Sequence, residues 1–248
     1  MSDRFYSTHP ITSEQATLAG PEAHHLLHVM RASVGQAVTL FDGSGAEFTA
    51  QITKLSRSAI DLRVVERHEI NRELPFALTV GVALPKGDRQ KWLVEKLTEL
   101  GVTTLVPLTS ERGVAQPTAG ALERLERSVI EAAKQCGRNR LMHITEPQEW
   151  SEWVKSKECL GASVSEPPAT LRLVAHPTGK PLSSIADDAP SHQQRPRPIQ
   201  LAIGPEGGFT DAEITAALTA GWQTVSLGPR ILRVETAAIA LAAMITTS

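Results

Sequence analysis

The feature that most constrains this chain is a change of hydrophobic period near residue 76. Before it, apolar residues alternate with polar ones in short runs; after it, they gather into near-continuous runs separated by helical segments. Ala77-Leu-Thr-Val-Gly-Val-Ala-Leu84 is such a run, and a strand reads this way when a parallel sheet buries both of its faces. The next segment predicts a helix from Asp88, whose carboxylate can cap it, to Leu100, with Leu93, Leu97 and Leu100 as its apolar stripe and Gly101 as a left-handed stop. The same reasoning gives strands at Thr103–Pro107, Leu171–His176, Ile199–Gly204 and Thr224–Leu227, and helices at Ala119–Gln135, Asp211–Ala220 and from Glu235 onward. Strands alternating with helices of this length predict an α/β layer fold.

Upstream, Ala37–Phe41, Glu47–Ile52 and Ala59–Val65 alternate with period two, and Asp42-Gly-Ser-Gly and Ser56-Arg-Ser separate them. That pattern predicts a small antiparallel β unit, with a short helix over His24–Met30 ahead of it. Residues 66–74 are charged and nearly free of large apolar groups, which places the linker there. Residues 177–198 are rich in Pro, Ser, Asp and Gln and read as a surface connection without catalytic content.

Composition excludes several classes. No apolar run approaches the ~20 residues of a membrane span, and the opening Met1–Thr8 lacks the apolar stretch of a secretory signal. Cys136 and Cys159 form no CxxC and have no histidines at metal-like intervals. That fits a reducing cytoplasm and predicts neither a disulfide scaffold nor a metal site. The net charge of −2 gives no overall footprint for nucleic acid, so any RNA contact must be local. Between Pro85 and Arg140 ten positive charges face seven acids; solvated helix faces would show the same excess.

The chemistry concentrates in two glycine turns. In Leu201-Ala-Ile-Gly204-Pro205-Glu206-Gly207-Gly208-Phe209-Thr210 an apolar strand runs into a tight turn, and Thr210 or Asp211 caps the next helix. Leu227-Gly228-Pro229-Arg230-Ile231-Leu232-Arg233-Val234-Glu235-Thr236-Ala237 repeats the passage. Ligands in open α/β sheets bind outside the carboxyl ends of strands, and glycine lets backbone approach them closely. Each turn alone also suits an ordinary strand–helix connection. Neither is a Walker loop or a GxGxxG fingerprint, which argues against nucleoside triphosphates and dinucleotides. Two adjacent turns could form one pocket, with backbone groups for an adenine edge and Ile231 and Leu232 as apolar walls.

These turns stand in order with Leu84–Arg89, Lys96–Gly101, Ser110–Arg112 and Glu131–Arg138, preceded by Arg4-Phe5-Tyr6 and His24-His25-Leu-Leu-His28-Val-Met30-Arg31. Together they resemble the RsmE family, bacterial methyltransferases that act on N3 of a uridine in 16S ribosomal RNA. The resemblance covers nearly the whole chain. It implies a small PUA-like β-barrel domain over residues 1–72 and a trefoil-knotted SPOUT-type α/β methyltransferase domain over 73–248. It also implies S-adenosylmethionine as cofactor, the small ribosomal subunit as partner, and a homodimer.

On this likeness Ala175, His176, Gly204, Pro205, Glu206, Gly207, Leu227, Gly228, Ile231, Leu232 and Arg233 would hold the cofactor. Uracil N3 carries a weakly acidic proton, which calls for a base or an anion-stabilising group. Glu206 and Glu235 are the candidate bases, and Arg112, Arg138 and Arg233 the candidate stabilisers. Arg4, His24, His25, His28 and Arg31 would contact RNA, joined by Lys86 and Arg89; the histidines equally suit a hydrogen-bonded helix face. The rival readings are another SPOUT specificity and a non-catalytic RNA-binding assembly factor.

Overall fold

The computed structural model describes residues 4–113, 117–156, 170–186 and 197–247. The chain divides into two units, Met1–Glu73 with Ile130–Leu141, and Leu74–Val129 with Met142–Ser248.

The first unit holds β1 (Arg4–Tyr6), β2 (Gln15–Ala19), α1 (Gly20–His24), a π-helical turn (His25–Val29), β3 (Ala37–Phe41), β4 (Glu47–Leu55) and β5 (Ala59–His68). Its sheet runs β1-β3-β4-β5-β2, with β1 parallel to β3 and the remaining pairs antiparallel. Period two places Leu40, Phe48, Ala50, Ile52, Ile60 and Leu62 on the buried face, each large one contributing about 1.5–3 kcal/mol. In the turn after β3, Asp42 accepts from Ser44 N (3.0 Å) and from Ile11 N (2.8 Å). The charged residues expected to be linker instead continue β5, where Glu66, Arg67 and His68 pair with Thr49, Phe48 and Glu47. Charge at an exposed position does not prevent backbone pairing, and the Arg67 guanidinium lies 5.8 Å over the Phe48 ring.

Buried ion pairs hold this unit's ends. Arg4 donates to Glu47 Oε2 at 2.7 Å and to Asn139 Oδ1 at 2.6 Å, and Arg72 donates to the same Glu47 oxygen at 3.1 Å. Burial works against the charged carboxylate, yet the two arginines outweigh it and hold Glu47 below the usual carboxylate range.

The second unit contains β6 (Leu78–Val82), α2 (Arg89–Glu99), β7 (Thr104–Thr109), α3 (Ala119–Cys136, whose last residues belong to the first unit), β8 (His143–Ile144), β9 (Gln148–Glu149) and α4 (Trp150–Trp153). It continues through β10 (Leu171–Pro181), α5 (Leu182–Ala186), β11 (Ile199–Ile203), α6 (Asp211–Thr219), β12 (Gln223–Ser226) and α7 (Val234–Thr246). The strands form a wholly parallel sheet in the order β12-β10-β11-β6-β7-β8, with β9 also on β7. Every residue of β6 and β11 is buried, as their apolar runs require.

Asp88 does not cap α2: its backbone is already helical (φ −62°, ψ −18°) and its side chain makes no capping bond, whereas a capping residue is typically extended. Gly101 does end the helix, at φ +83°. Thr210 caps α6 in a reciprocal box: its hydroxyl accepts from Glu213 N (3.3 Å) while Glu213 accepts from Thr210 N (2.7 Å). β10 runs past the expected end to Pro181, because after an irregularity Lys180 returns to pair with Val225, as Ala175 does. Part of the stretch read as a surface connection is therefore strand and helix; residues 187–196 lie outside those described. The short β8, β9 and α4 have too few residues for any period to register in the sequence. Among the described residues no helix is long and apolar enough to cross a membrane.

A methyl group on Gly81 of β6 would sit 2.6 Å from the buried Trp153 ring and 2.9 Å from Leu108, so Gly81→Ala should cost about 1–3 kcal/mol in denaturant unfolding; a value within about 0.5 kcal/mol of wild type would contradict this packing. The depressed Glu47 contributes stability that is present above its unfolded value near 4.5 and is lost as pH falls through the lower folded value. The stability difference between wild type and Glu47→Gln should therefore be largest at neutral pH and shrink in acid below that value. A difference independent of pH would overturn the assignment.

Candidate functional site

Parallel pairing brings the carboxyl ends of β10, β11 and β12 to one edge of the sheet. A cavity of about 370 Å³ opens there, within the size of small-molecule sites. Its walls come from Ala175 to Pro177 at the irregularity within β10, Ile203 to Phe209 at and beyond the end of β11, and Leu227, Gly228 and Arg230 to Leu232 after β12. Val225, Leu227, Leu232, Val234 and Ala237 give it an apolar side. Gly207, Gly208 and Gly228 line it with bare backbone. Gly208 (φ +68°) and Gly228 (φ +100°) are left-handed, a conformation that strains any residue with a side chain.

The cavity has a firm floor. Phe209 stacks on Trp150 with ring centroids 4.2 Å apart, and Trp150 packs against Trp153 and Trp222 in one core cluster. The Trp222 indole donates to Val154 O at 2.9 Å, so this aromatic core is fixed by polar as well as apolar contacts. Two bonds restrain the turn above it. Arg112 donates from Nη1 to Gly207 O at 3.0 Å, and Glu213, already in the α6 cap, accepts from Glu111 N at 3.0 Å. Beside the turn, Arg89 at the start of α2 reaches two carboxylates, Glu206 at 3.4 Å and Glu235 at 3.5 Å.

Ten of the eleven residues read as cofactor-binding line the cavity. The eleventh, Arg233, is the exposed residue capping α7 and is not in its wall. Ile231, read as an apolar wall, borders the cavity but is 92 % exposed. Of the candidate catalytic residues Arg112 and Glu206 reach the cavity. Glu235 is buried at 4 % exposure behind it. Arg138 belongs to the first unit, where it donates to Glu73 through Nε (3.1 Å) and Nη2 (2.5 Å).

Among the RNA candidates, Arg4 is buried in its pairs with Glu47 and Asn139. His24, His25, His28 and Arg31 are exposed around the π-helical turn, with the His24 and His28 rings 4.7 Å apart. Arg31 takes a positive φ of 53°, rare for a residue other than glycine and a mark of functional sites. Lys86 is exposed in the turn before α2.

Sequence reasoning missed Pro177, Phe209, Asp211, Val225, Arg230, Val234 and Ala237, all of which line the cavity. Phe209 and Arg230 lie inside the quoted motifs and could have been found by proximity. The spacing of Val234 and Ala237, three apart on one helix, is a signal that only a known helix start makes readable.

Comparison with known proteins agrees with this layout. Residues 72–246 match a family model described as an RNA methyltransferase domain, and residues 18–65 match an RNA methyltransferase PUA domain. The ribosomal RNA small subunit methyltransferase E of Synechocystis is 34 % identical over 92 % of this chain and 71 % of its own length. Its counterpart in Bacillus subtilis is 29 % identical over 89 % and 85 %. A crystal structure of the corresponding Neisseria gonorrhoeae enzyme bound to S-adenosyl methionine superposes with a TM-score of 0.84 and 29 % identity, covering 100 % of this chain and 98 % of that one. With matches spanning both units, and the cavity inside the part that fits the methyltransferase model, the chain belongs to the ribosomal RNA small subunit methyltransferase E family, RsmE.

Proposed function

We propose that this chain transfers a methyl group from S-adenosylmethionine to N3 of a uridine in 16S ribosomal RNA. The observation that carries the reading is the cavity itself, lined by backbone from the glycine turns after β11 and β12, the two strands that flank β10 in the parallel sheet, in a chain of the RsmE family. The residues fit the group. Val225, Leu227 and Leu232 offer an apolar face for a base, the turns offer N–H and C=O edges, and Glu206 and Asp211 put negative charge on a cavity that would take a sulfonium.

When bound, S-adenosylmethionine supplies an activated methyl group. The chain's own residues then align the acceptor, since orientation supplies much of the rate. Glu206, exposed in the cavity wall, is better placed than the buried Glu235 to take the N3 proton. Arg112 stabilises the negative charge that develops on the uracil oxygens, while Arg138, already paired with Glu73, does not serve this role. Arg233 and Arg230, exposed around the second turn, hold flanking phosphates. The target uridine leaves its stack to reach the cavity. His24, His25, His28, Arg31 and Lys86 are the proposed RNA contacts, and the buried Arg4 acts by holding the first unit together.

Three finer features belong to the same reading. The first unit's sheet is a PUA-like barrel. The loops 204–208 and 228–233 are those of a trefoil knot, through which the carboxy-terminal segment is threaded. The protein is a cytoplasmic homodimer: α7 is apolar nearly all round, and Met244 on it and Trp92 on the adjacent α2 are 43 % and 46 % exposed, a face that a second copy would cover.

The test uses small ribosomal subunits from a strain lacking this gene, incubated with the protein and labelled S-adenosylmethionine and mapped by mass spectrometry of RNA fragments. A single new 3-methyluridine is expected, made by a species that sediments as a dimer. Methyl on another atom would overturn the specificity, and cofactor binding without transfer would favour an assembly factor. Arg112→Ala should slow single-turnover transfer about 10²-fold; wild-type rates in both Arg112→Ala and Arg233→Ala would refute the roles given to these arginines.

A further inference from the structure

Arg89 stands among the basic residues expected to meet RNA, yet its side chain points to another task. It is the first residue of α2, with its guanidinium between two carboxylates, one from the turn after β11 and one from the start of α7: Nη2 is 3.4 Å from Glu206 Oε1, and Nη1 is 3.5 Å from Glu235 Oε2. The two acids differ sharply in environment. The Glu206 side chain is 53 % exposed and lines the cavity, whereas that of Glu235 is 6 % exposed, in the first turn of α7.

A buried carboxylate needs a countercharge or hydrogen bonds. Glu235 Oε2 has no hydrogen-bond partner, and at 3.5 Å Arg89 is within ion-pair range of it. The helix start adds favourable partial positive charge. Glu235 is therefore the fixed end of this arrangement and Glu206 the movable one. A planar guanidinium can address both carboxylates at once, which an ammonium cannot do with the same geometry.

We infer that Arg89 is a positioning residue of the cofactor pocket: anchored on the buried Glu235, it holds Glu206 and the turn after β11 in the cavity wall. It thereby ties that turn to the first turn of α7. The inference rests on the proposal that this cavity binds S-adenosylmethionine, and it assigns Arg89 to the cofactor side of the reaction rather than to RNA.

The test is a double-mutant cycle read by calorimetric titration of the intact protein with S-adenosylmethionine, without RNA. Arg89→Ala and Glu206→Gln should each weaken binding, Arg89→Ala by about tenfold, and the double variant should bind no more weakly than the worse single one, as expected for residues acting through one contact. Arg89→Lys should recover part of the loss but not all. If Arg89→Ala fails to fold, Arg89→Ala with Glu235→Gln removes the unpaired buried charge and serves in its place against the Glu235→Gln background. Additive losses, an Arg89→Ala affinity equal to wild type, or full recovery with lysine would each overturn the inference. Failure of the wild-type protein to bind S-adenosylmethionine would instead overturn the cofactor reading, before any variant is compared.

Discussion

The site depends on the backbone pairing of β11, which lies between β10 and β6 with Leu201 opposite both Leu173 and Val80. Because the pairs are parallel, the strands end on the same side, and the chain must leave each of them there. Val174 pairs with Ala202 and with Thr224, so the turns that leave β11 at Gly204 and β12 at Leu227 emerge beside His176, at the irregularity of β10. Parallel strands need crossovers of a dozen or more residues; here α2, α3 and α6 lie in such crossovers, and α7, after the last strand, packs on β6 and β11. The edge where the turns emerge is left open to a ligand.

Within that frame, burial decides what each charged residue does. Arg4 and Arg138 share a side chain with Arg112 and Arg230, but the first two are enclosed with carboxylates and the last two are exposed at the cavity. Breaking an enclosed pair costs about 3–5 kcal/mol because the remaining charge is left without a partner, while an exposed pair is worth about 0–1 kcal/mol. The enclosed arginines are thus committed to structure, and the exposed ones are those to which the proposed function gives phosphate or uracil. The Glu206–Arg89–Glu235 group joins the two conditions, with one end buried and one end in the cavity wall.

Much of this was legible in the sequence, for a physical reason. A strand buried on both faces is built mainly from apolar residues, so β6 and β11 announced themselves despite Thr79 and Gln200, and a left-handed turn favours glycine, so Gly208 and Gly228 marked the turns. Less was legible where several states share one composition. Glu66, Arg67 and His68 look like linker but pair as strand, since backbone hydrogen bonds are indifferent to an exposed charge. Asp88 looks like a helix cap, but its backbone is already helical and its side chain makes no capping bond. No periodicity reveals that Arg138 faces Glu73 across 65 residues of sequence, or that Arg89 reaches Glu206 across 117. Such pairs are set by tertiary placement alone.

In the proposed function the turns after β11 and β12 form a single cofactor pocket. Amide hydrogen exchange measured with and without S-adenosylmethionine tests it most directly. The account predicts that saturating ligand slows exchange in residues 204–209 and 227–232 together, at one common ligand concentration, with the π-helical turn at 25–29 unchanged. Protection confined to one turn, or appearing in neither while the ligand binds elsewhere, would contradict it.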